Sequence, residues 1–200
     1  DINGAKMLLE VAKKDYQREI DTDAYPIMLT LFTSGLRIDK ELMDMKVGDI
    51  HDGGITVVGK GNKIRFVPIP EVVIDTLSEY IRNTRSRFNI LDKKDFEIAQ
   101  SRFSYKGFLS YEDYVEKLTY AKDNNYVFLT ECGTKRDNKT VFLKLKKYAK
   151  KCGIKTSVSA HKWRHTYATN LLEQNVPMDV ISTLLGHADV GITHRKKKKT

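Results

Sequence analysis

GGITVVGKGNKIRFVPI, residues 53–69, is where the pattern of this 200-residue chain changes from helical to β. Two β-rich runs, ITVV at 55–58 and IRFVPI at 64–69, flank the Gly-rich, basic turn GKGNK at 59–63, the pattern of an antiparallel hairpin. On both sides of it the apolar residues recur at helical spacing. Upstream, Asn3 to Tyr16 carries Met7, Leu8 and Val11 on one face. Pro26 opens a second helix with Ile27, Met28, Leu31 and Phe32, ended by Gly35, and Glu41 to Met45 forms a short third. Downstream, Pro70 starts a helix to about Arg85 with Val73, Leu77, Tyr80 and Ile81 inward. Residues 88–124 are irregular, charged and aromatic-rich, with Ser110 and Asp113 marking a small helix start, and YVFLT at 126–130 is a short buried strand or extended segment. Asn138 caps a helix to about Cys152, with Val141, Leu145, Tyr148 and Cys152 inward and Gly153 as its stop. Ser159 caps a helix from about His161 to Gln174. Pro177 opens the last, PMDVISTLLGH at 177–187, with Val180, Ile181, Leu184 and Leu185 as its apolar face and Gly186 as its end. The class is therefore mostly α with a small antiparallel β-sheet.

The length suits one domain with a small insertion, and 40% hydrophobic against 30% charged residues describes a globular chain rather than a disordered one. No apolar run approaches the roughly 20 residues of a membrane span, and the N-terminal residues lack a secretory pattern. The only cysteines, Cys132 and Cys152, form no CxxC pair, so a reducing cytoplasm is the expected setting. The formal charge is +9, but Arg195 to Lys199 supply five of those charges, leaving +4 on residues 1–194. Composition permits a polyanionic partner without requiring one.

Four short stretches hold residues able to do chemistry. In HKWRHTYAT, 161–169, His161 and Arg164 share one helix face near the N-terminal end, where free N–H groups and the helix dipole favour an anion. The same pair also fits a structural role, with Arg164 on a carboxylate. His161 and His165 have the spacing of a zinc helix but lack the glutamate of HExxH, and the cysteines lack ligand spacing, so no metal is expected. TSGLR, 33–37, puts Arg37 just past a glycine turn, and a buried guanidinium there demands an anion. GKGNK places Lys60 and Lys63 at a hairpin tip, either as solvated lysines or as cations set beside a nucleic-acid strand. His187 follows Gly186 directly, where an exposed polar side chain is expected.

Taken in order, TSGLR, GKGNKIRFVPI, HKWRHTYAT and LLGH (184–187) resemble four separated blocks of the tyrosine recombinases, the phage-integrase family, across residues 1 to about 193. The resemblance implies the fold of that family's catalytic domain, an α+β arrangement. It makes residues 1–200 the C-terminal part of a longer integrase, with an atypical insertion at about 88–124 and a basic tail at 195–200. It also implies site-specific recombination of double-stranded DNA by transesterification through a 3′-phosphotyrosyl intermediate, with self-association into a tetramer on DNA, no cofactor and no metal. Arg37 and Arg164 would clamp the scissile phosphate and His161 would bond it and assist the nucleophile's proton transfer. Lys60 would protonate the departing 5′-oxygen, and His187 would hold a phosphate oxygen. Lys63, Arg65 and Lys162 would contact DNA around that centre.

Two departures from the family pattern stand out. The nucleophilic tyrosine is expected nine residues after His187, and that position is Lys196; no tyrosine follows Tyr167. The chain as given is thus expected to be inactive in DNA cleavage. A truncated or frameshifted recombinase, an inactive paralogue that occupies recombination sites and a non-catalytic DNA-binding protein all fit. A plain helix-turn-helix regulator would leave Arg37 and Lys60 unexplained. The second departure follows Arg37: an acidic residue is expected three positions on, but Lys40 stands there, flanked by Asp39 and Glu41, and either carboxylate is a candidate support for Arg37.

Overall fold

The structure is a computed structural model and describes residues 2–85, 93–94, 96–97, 110–116, 125–130, 133–154 and 159–186. Its centre is helix α2, Ala24–Ser34, whose sequence AYPIMLTLFTS is apolar on nearly every face and is buried from Ala24 to Leu31. A helix without a polar face must be surrounded. Helix α1, Ile2–Gln17, lays Ala5, Leu8 and Ala12 against it, and α2 also contacts three helices introduced below. The Thr and Ser hydroxyls of α2 are satisfied within the helix: Thr30 donates to the Pro26 carbonyl at 2.8 Å, Thr33 to the Leu29 carbonyl at 2.8 Å and Ser34 to the Thr30 carbonyl at 2.5 Å.

After α2 the chain makes one wide π-type turn, Ile38–Leu42, in place of the short helix expected at 41–45. It then enters an antiparallel sheet of β1 (Ile50–His51), β2 (Gly54–Val58) and β3 (Ile64–Pro68), in that order. The hairpin pairs Ile55 with Val67 and Val57 with Arg65. Strand β1 is an addition to the expected hairpin; two residues are too few to show alternation. Ile55, Val57 and Val67 point into the core, while Val58, Ile64 and Phe66 lie on the exposed face.

Helix α3, Glu71–Glu79, runs on through a second π-type turn, Tyr80–Thr84, with Val73, Leu77 and Tyr80 buried as expected and Ile81 only half-buried. A short helical segment occupies 111–116, and Ser110 accepts the Asp113 N–H as its sequence suggests. The rest of the expected insertion at 88–124 lies almost wholly outside the described residues. Residues 126–130 form no regular strand; single bridges tie Tyr126 to Lys46 and Leu129 to Lys135, and Val127 and Phe128 are fully buried.

Helix α4, Asn138–Lys151, is capped by Asp137, one residue before the expected Asn138: its carboxylate accepts the Thr140 N–H at 2.7 Å. Helix α4 and the residues just before it meet the end of α1 and the α1–α2 connection through ion pairs. Lys144 contacts Asp21 at 2.6 Å and Asp23 at 2.5 Å, Arg136 contacts Asp23 at 2.5 Å, and Lys151 contacts Asp15 at 2.5 Å. Helix α5, Ala160–Glu173, is capped by Ser159 as expected, and α6, Met178–Leu184, packs on it through Ile181 and Leu185. Val180, expected on that apolar face, is instead 42% exposed, because a seven-residue helix with one covered side leaves it on the other. No helix among the described residues is long and apolar enough to cross a membrane.

Candidate active site

Arg37 reaches the site through a glycine turn. Gly35 has φ +63, and a Cβ there would sit 2.4 Å from the Tyr167 ring of α5. A left-handed turn pressed against an aromatic ring admits only glycine. The turn frees the Gly35 carbonyl, which accepts from Arg164 Nη1 at 2.8 Å. Two residues on, the Arg37 backbone N–H donates to Glu41 Oε2 at 2.9 Å and its guanidinium lies 3.4 Å from Glu41 Oε1. Glu41 is therefore the carboxylate that supports Arg37; the wide turn at 38–42 brings position 41 back over position 37, and Asp39 instead lines the neighbouring cavity.

Glu41 is 3% exposed and serves three arginines. Arg65, from β3, forks onto it with Nη1 to Oε1 at 2.9 Å and Nη2 to Oε2 at 3.0 Å, and Arg164, from α5, stands 3.8 Å from Oε2. Burial alone would raise the Glu41 carboxyl, but the Arg65 hydrogen bonds, the Arg37 N–H and the charges of Arg65 and Arg164 outweigh it and hold it below the usual carboxylate range. Arg164 is 7% exposed, and its guanidinium also donates to the Leu185 carbonyl just past α6. Burial first, then the like charges of Arg37 and Arg65, bring its pKa down to about 10 against the pull of Glu41, so it remains a cation at neutral pH. Three guanidiniums facing one carboxylate leave positive charge in excess, so the pocket still attracts an anion.

His161 is exposed in the first turn of α5, where the Ser159 cap holds the Lys162 N–H. His161, Arg164 and Arg37 line one cavity of about 860 Å³, together with an apolar wall that includes Leu36, Ile38, Phe142 and Leu143. The fold thus gathers three of the five expected centre residues. Lys60 begins the turn Lys60–Asn62 between β2 and β3, which the Gly59 N–H closes on the Lys63 carbonyl at 2.8 Å; the Lys60 side chain lies outside the description. His187, the Lys196 position and the basic tail lie outside the described residues. Lys63 and Lys162 are exposed. Arg65, expected among the DNA contacts, is turned inward onto Glu41 and is 12% exposed. His165 lines a different cavity from His161, and no group of His, Cys, Asp or Glu among the described residues is placed to hold a metal ion.

The sharing of Glu41 among three arginines is what sequence reasoning missed. The available signal was the i, i+4 spacing of Arg37 and Glu41; nothing local announces that Arg65, which alternation alone places on the sheet, reaches the same carboxylate.

Comparison with known proteins agrees with this geometry. The phage integrase family model matches residues 3–197. The tyrosine recombinase XerA of Pyrococcus furiosus is 33% identical over 191 residues, covering 94% of this chain and 52% of XerA. The crystal structure of a XerA recombinase superposes with a TM-score of 0.71 at 27% identity, covering 97% of this chain and 57% of that one. XerH, a site-specific recombinase seen bound to its difH substrate after cleavage, shares the fold at a TM-score of 0.66 and 17% identity, over 96% of this chain and 46% of its own. The chain spans about half the length of the curated relatives it matches. With a family match that runs almost end to end and the arginines of two matching blocks meeting at one pocket, the chain belongs to the phage integrase family, the tyrosine recombinases.

Proposed function

We propose that this chain is the phosphate-binding, catalytic half of a site-specific DNA recombinase, and that its cavity receives the scissile phosphodiester of double-stranded DNA. The observation that carries the reading is the meeting of Arg37, His161 and Arg164 around one cavity, with Arg164 buried and charged beside a carboxylate that cannot neutralise all the cations around it. Two guanidiniums aimed at the non-bridging oxygens would stabilise the charge that builds on them as phosphorus becomes five-coordinate. His161 would bond an oxygen and take part in proton transfer to and from the nucleophile. Lys60, at the tip of the hairpin, would give its proton to the 5′-oxygen as the P–O5′ bond breaks, and His187 would complete the phosphate shell. In the family reaction a tyrosine oxygen forms the new P–O bond, so the phosphoester count is unchanged and rejoining requires no ATP. Lys63 and Lys162 would bind flanking phosphates, and protomers would assemble on DNA.

Position 196, where the resemblance puts the nucleophile, is lysine. That observation favours a second reading for this chain, an inactive relative that holds recombination sites without cutting them. Both readings require duplex binding that weakens as salt rises, because each neutralised phosphate releases counterions. Titration of labelled duplex DNA across a salt series tests them; an affinity independent of salt would refute both. A covalent adduct assay separates them from a competent enzyme: the chain as given is expected to form no SDS-resistant adduct, and an adduct that depends on Arg164 would show that another residue is the nucleophile.

A further inference from the structure

We infer that Arg65 is a positioning residue that ties the hairpin turn carrying Lys60 and the chain entering His187 to the carboxylate that supports Arg37, a role that rests on the recombinase reading above. Its guanidinium is used on three sides. Nη1 and Nη2 fork onto Glu41 at 2.9 and 3.0 Å, and Nε donates to the Leu184 carbonyl at the end of α6 at 3.0 Å. Two glycines make room for it. A Cβ on Gly59, the residue before Lys60, would lie 3.1 Å from Nη1, and a Cβ on Gly186, the residue before His187, would lie 2.9–3.2 Å from the guanidinium atoms. One planar group is therefore packed between the backbones leading to two distant site residues and hooked to the residue that holds the third. Arg164 makes the parallel connection, reaching Leu185 on one side and Gly35 on the other, so α6 ends on two arginine donors.

Planarity with three bonding directions is what this job needs, and lysine lacks it. Lys at 65 keeps the charge and can reach Glu41 but cannot hold Leu184 at the same time. Three of the five N–H donors of Arg65, one on each nitrogen, are already used within the protein.

Hydrogen exchange of the intact chain tests the inference at three amides: Gly59, bonded to the Lys63 carbonyl, Leu185, bonded to Ile181, and Gly186, bonded to Thr183. In both Arg65→Met and Arg65→Lys these three are expected to exchange about tenfold faster or more, the loss of one charged hydrogen bond, while Ile27 in α2 and Trp163 in α5 keep wild-type rates. The retained charge of the lysine variant keeps the test open if the methionine variant does not fold. Unchanged rates at Leu185 and Gly186, or recovery of all three amides by lysine, would overturn it.

A pH profile of DNA affinity adds a readout that plain destabilisation would not move. Among the described residues Glu41 is faced by Arg37 from its own turn, Arg65 from β3 and Arg164 from α5. Without Arg65 the carboxyl takes up a proton at higher pH, which changes both the hold on Arg37 and the net charge of the pocket, so the ratio of wild-type to Arg65→Met duplex affinity is expected to change as pH falls from about 8 to about 5. An affinity ratio flat with pH would count against the role. So would a lower salt slope in Arg65→Met that Arg65→Lys restores, because it would make Arg65 a direct phosphate contact. If the wild-type chain binds no duplex DNA, the recombinase reading falls, whereas the exchange result is read on the protein alone.

Discussion

Replacing Glu41 with glutamine should destabilise the fold more than most single substitutions. The side chain keeps its shape and is 3% exposed, so packing is little changed. The charge is lost, and the new amide nitrogen points a donor at Arg65 or at the Arg37 N–H, both of which are donors themselves. Removing one partner of a buried ion pair costs about 3–5 kcal/mol. Most of that belongs to Arg65 and Arg164, whose side chains are 12% and 8% exposed; Arg37, at 36%, adds little after solvent screening. For a domain of this size the loss amounts to a fall in melting temperature of roughly 6–20 °C. Denaturation followed by the fluorescence of the single tryptophan, Trp163, reports it, because that ring is buried edge-on to Phe32 in the core. The pH dependence has a definite sign. Glu41 is held below its ordinary range, so its contribution is complete above about pH 4.3 and is lost as pH falls through the folded value. The gap between wild type and Glu41→Gln should therefore be full at neutral pH and close in acid. A loss under about 1 kcal/mol at pH 7 would refute the hub.

Other substitutions test other links. Gly35→Ala combines a strained left-handed backbone with a clash against Tyr167, so a loss of roughly 2–5 kcal/mol is expected in urea unfolding; a neutral result would show that the turn relaxes. Asp137→Ala removes the cap of α4 and should cost about 1 kcal/mol in the same assay, whereas Asn138→Ala should cost far less. Lys196→Tyr restores a phenol at the family spacing, and a trace of covalent DNA adduct that vanishes with Arg164→Ala is the expected outcome.

The fold was legible where one element's own residues decide its state. The helical repeat of Ile27, Met28, Leu31 and Phe32 in α2, the Gly35 stop, the hairpin around GKGNK and the Ser159 cap are local signals, and each appears where the pattern places it. Strand β1 was not legible because two residues carry no period, and the cap of α4 fell one residue early because Asp137 and Asn138 are both good caps and only the side-chain geometry chooses. At the site, four sequence blocks named the candidate residues, but the partner of Arg37 depended on the chain turning helically at 38–42. The i, i+4 spacing of Arg37 and Glu41 counts only where the chain already turns helically after Arg37, and the short helix expected at 41–45 left residues 38–40 outside it. The inward contact of Arg65 was not legible for a related reason: alternation tells which face of β3 a residue takes, and says nothing of a buried carboxylate waiting on that face.

The central claim is that Arg37, His161 and Arg164 hold a DNA phosphate. Arg37 is the best probe, because it is the most exposed of the arginines around Glu41 and its truncation disturbs the fold least. Duplex affinity measured against salt for wild type and Arg37→Ala should give a slope of log affinity on log salt that is shallower in the variant by about 0.9, the release of one counterion from one lost phosphate contact. Identical slopes and affinities for the two proteins would contradict the claim.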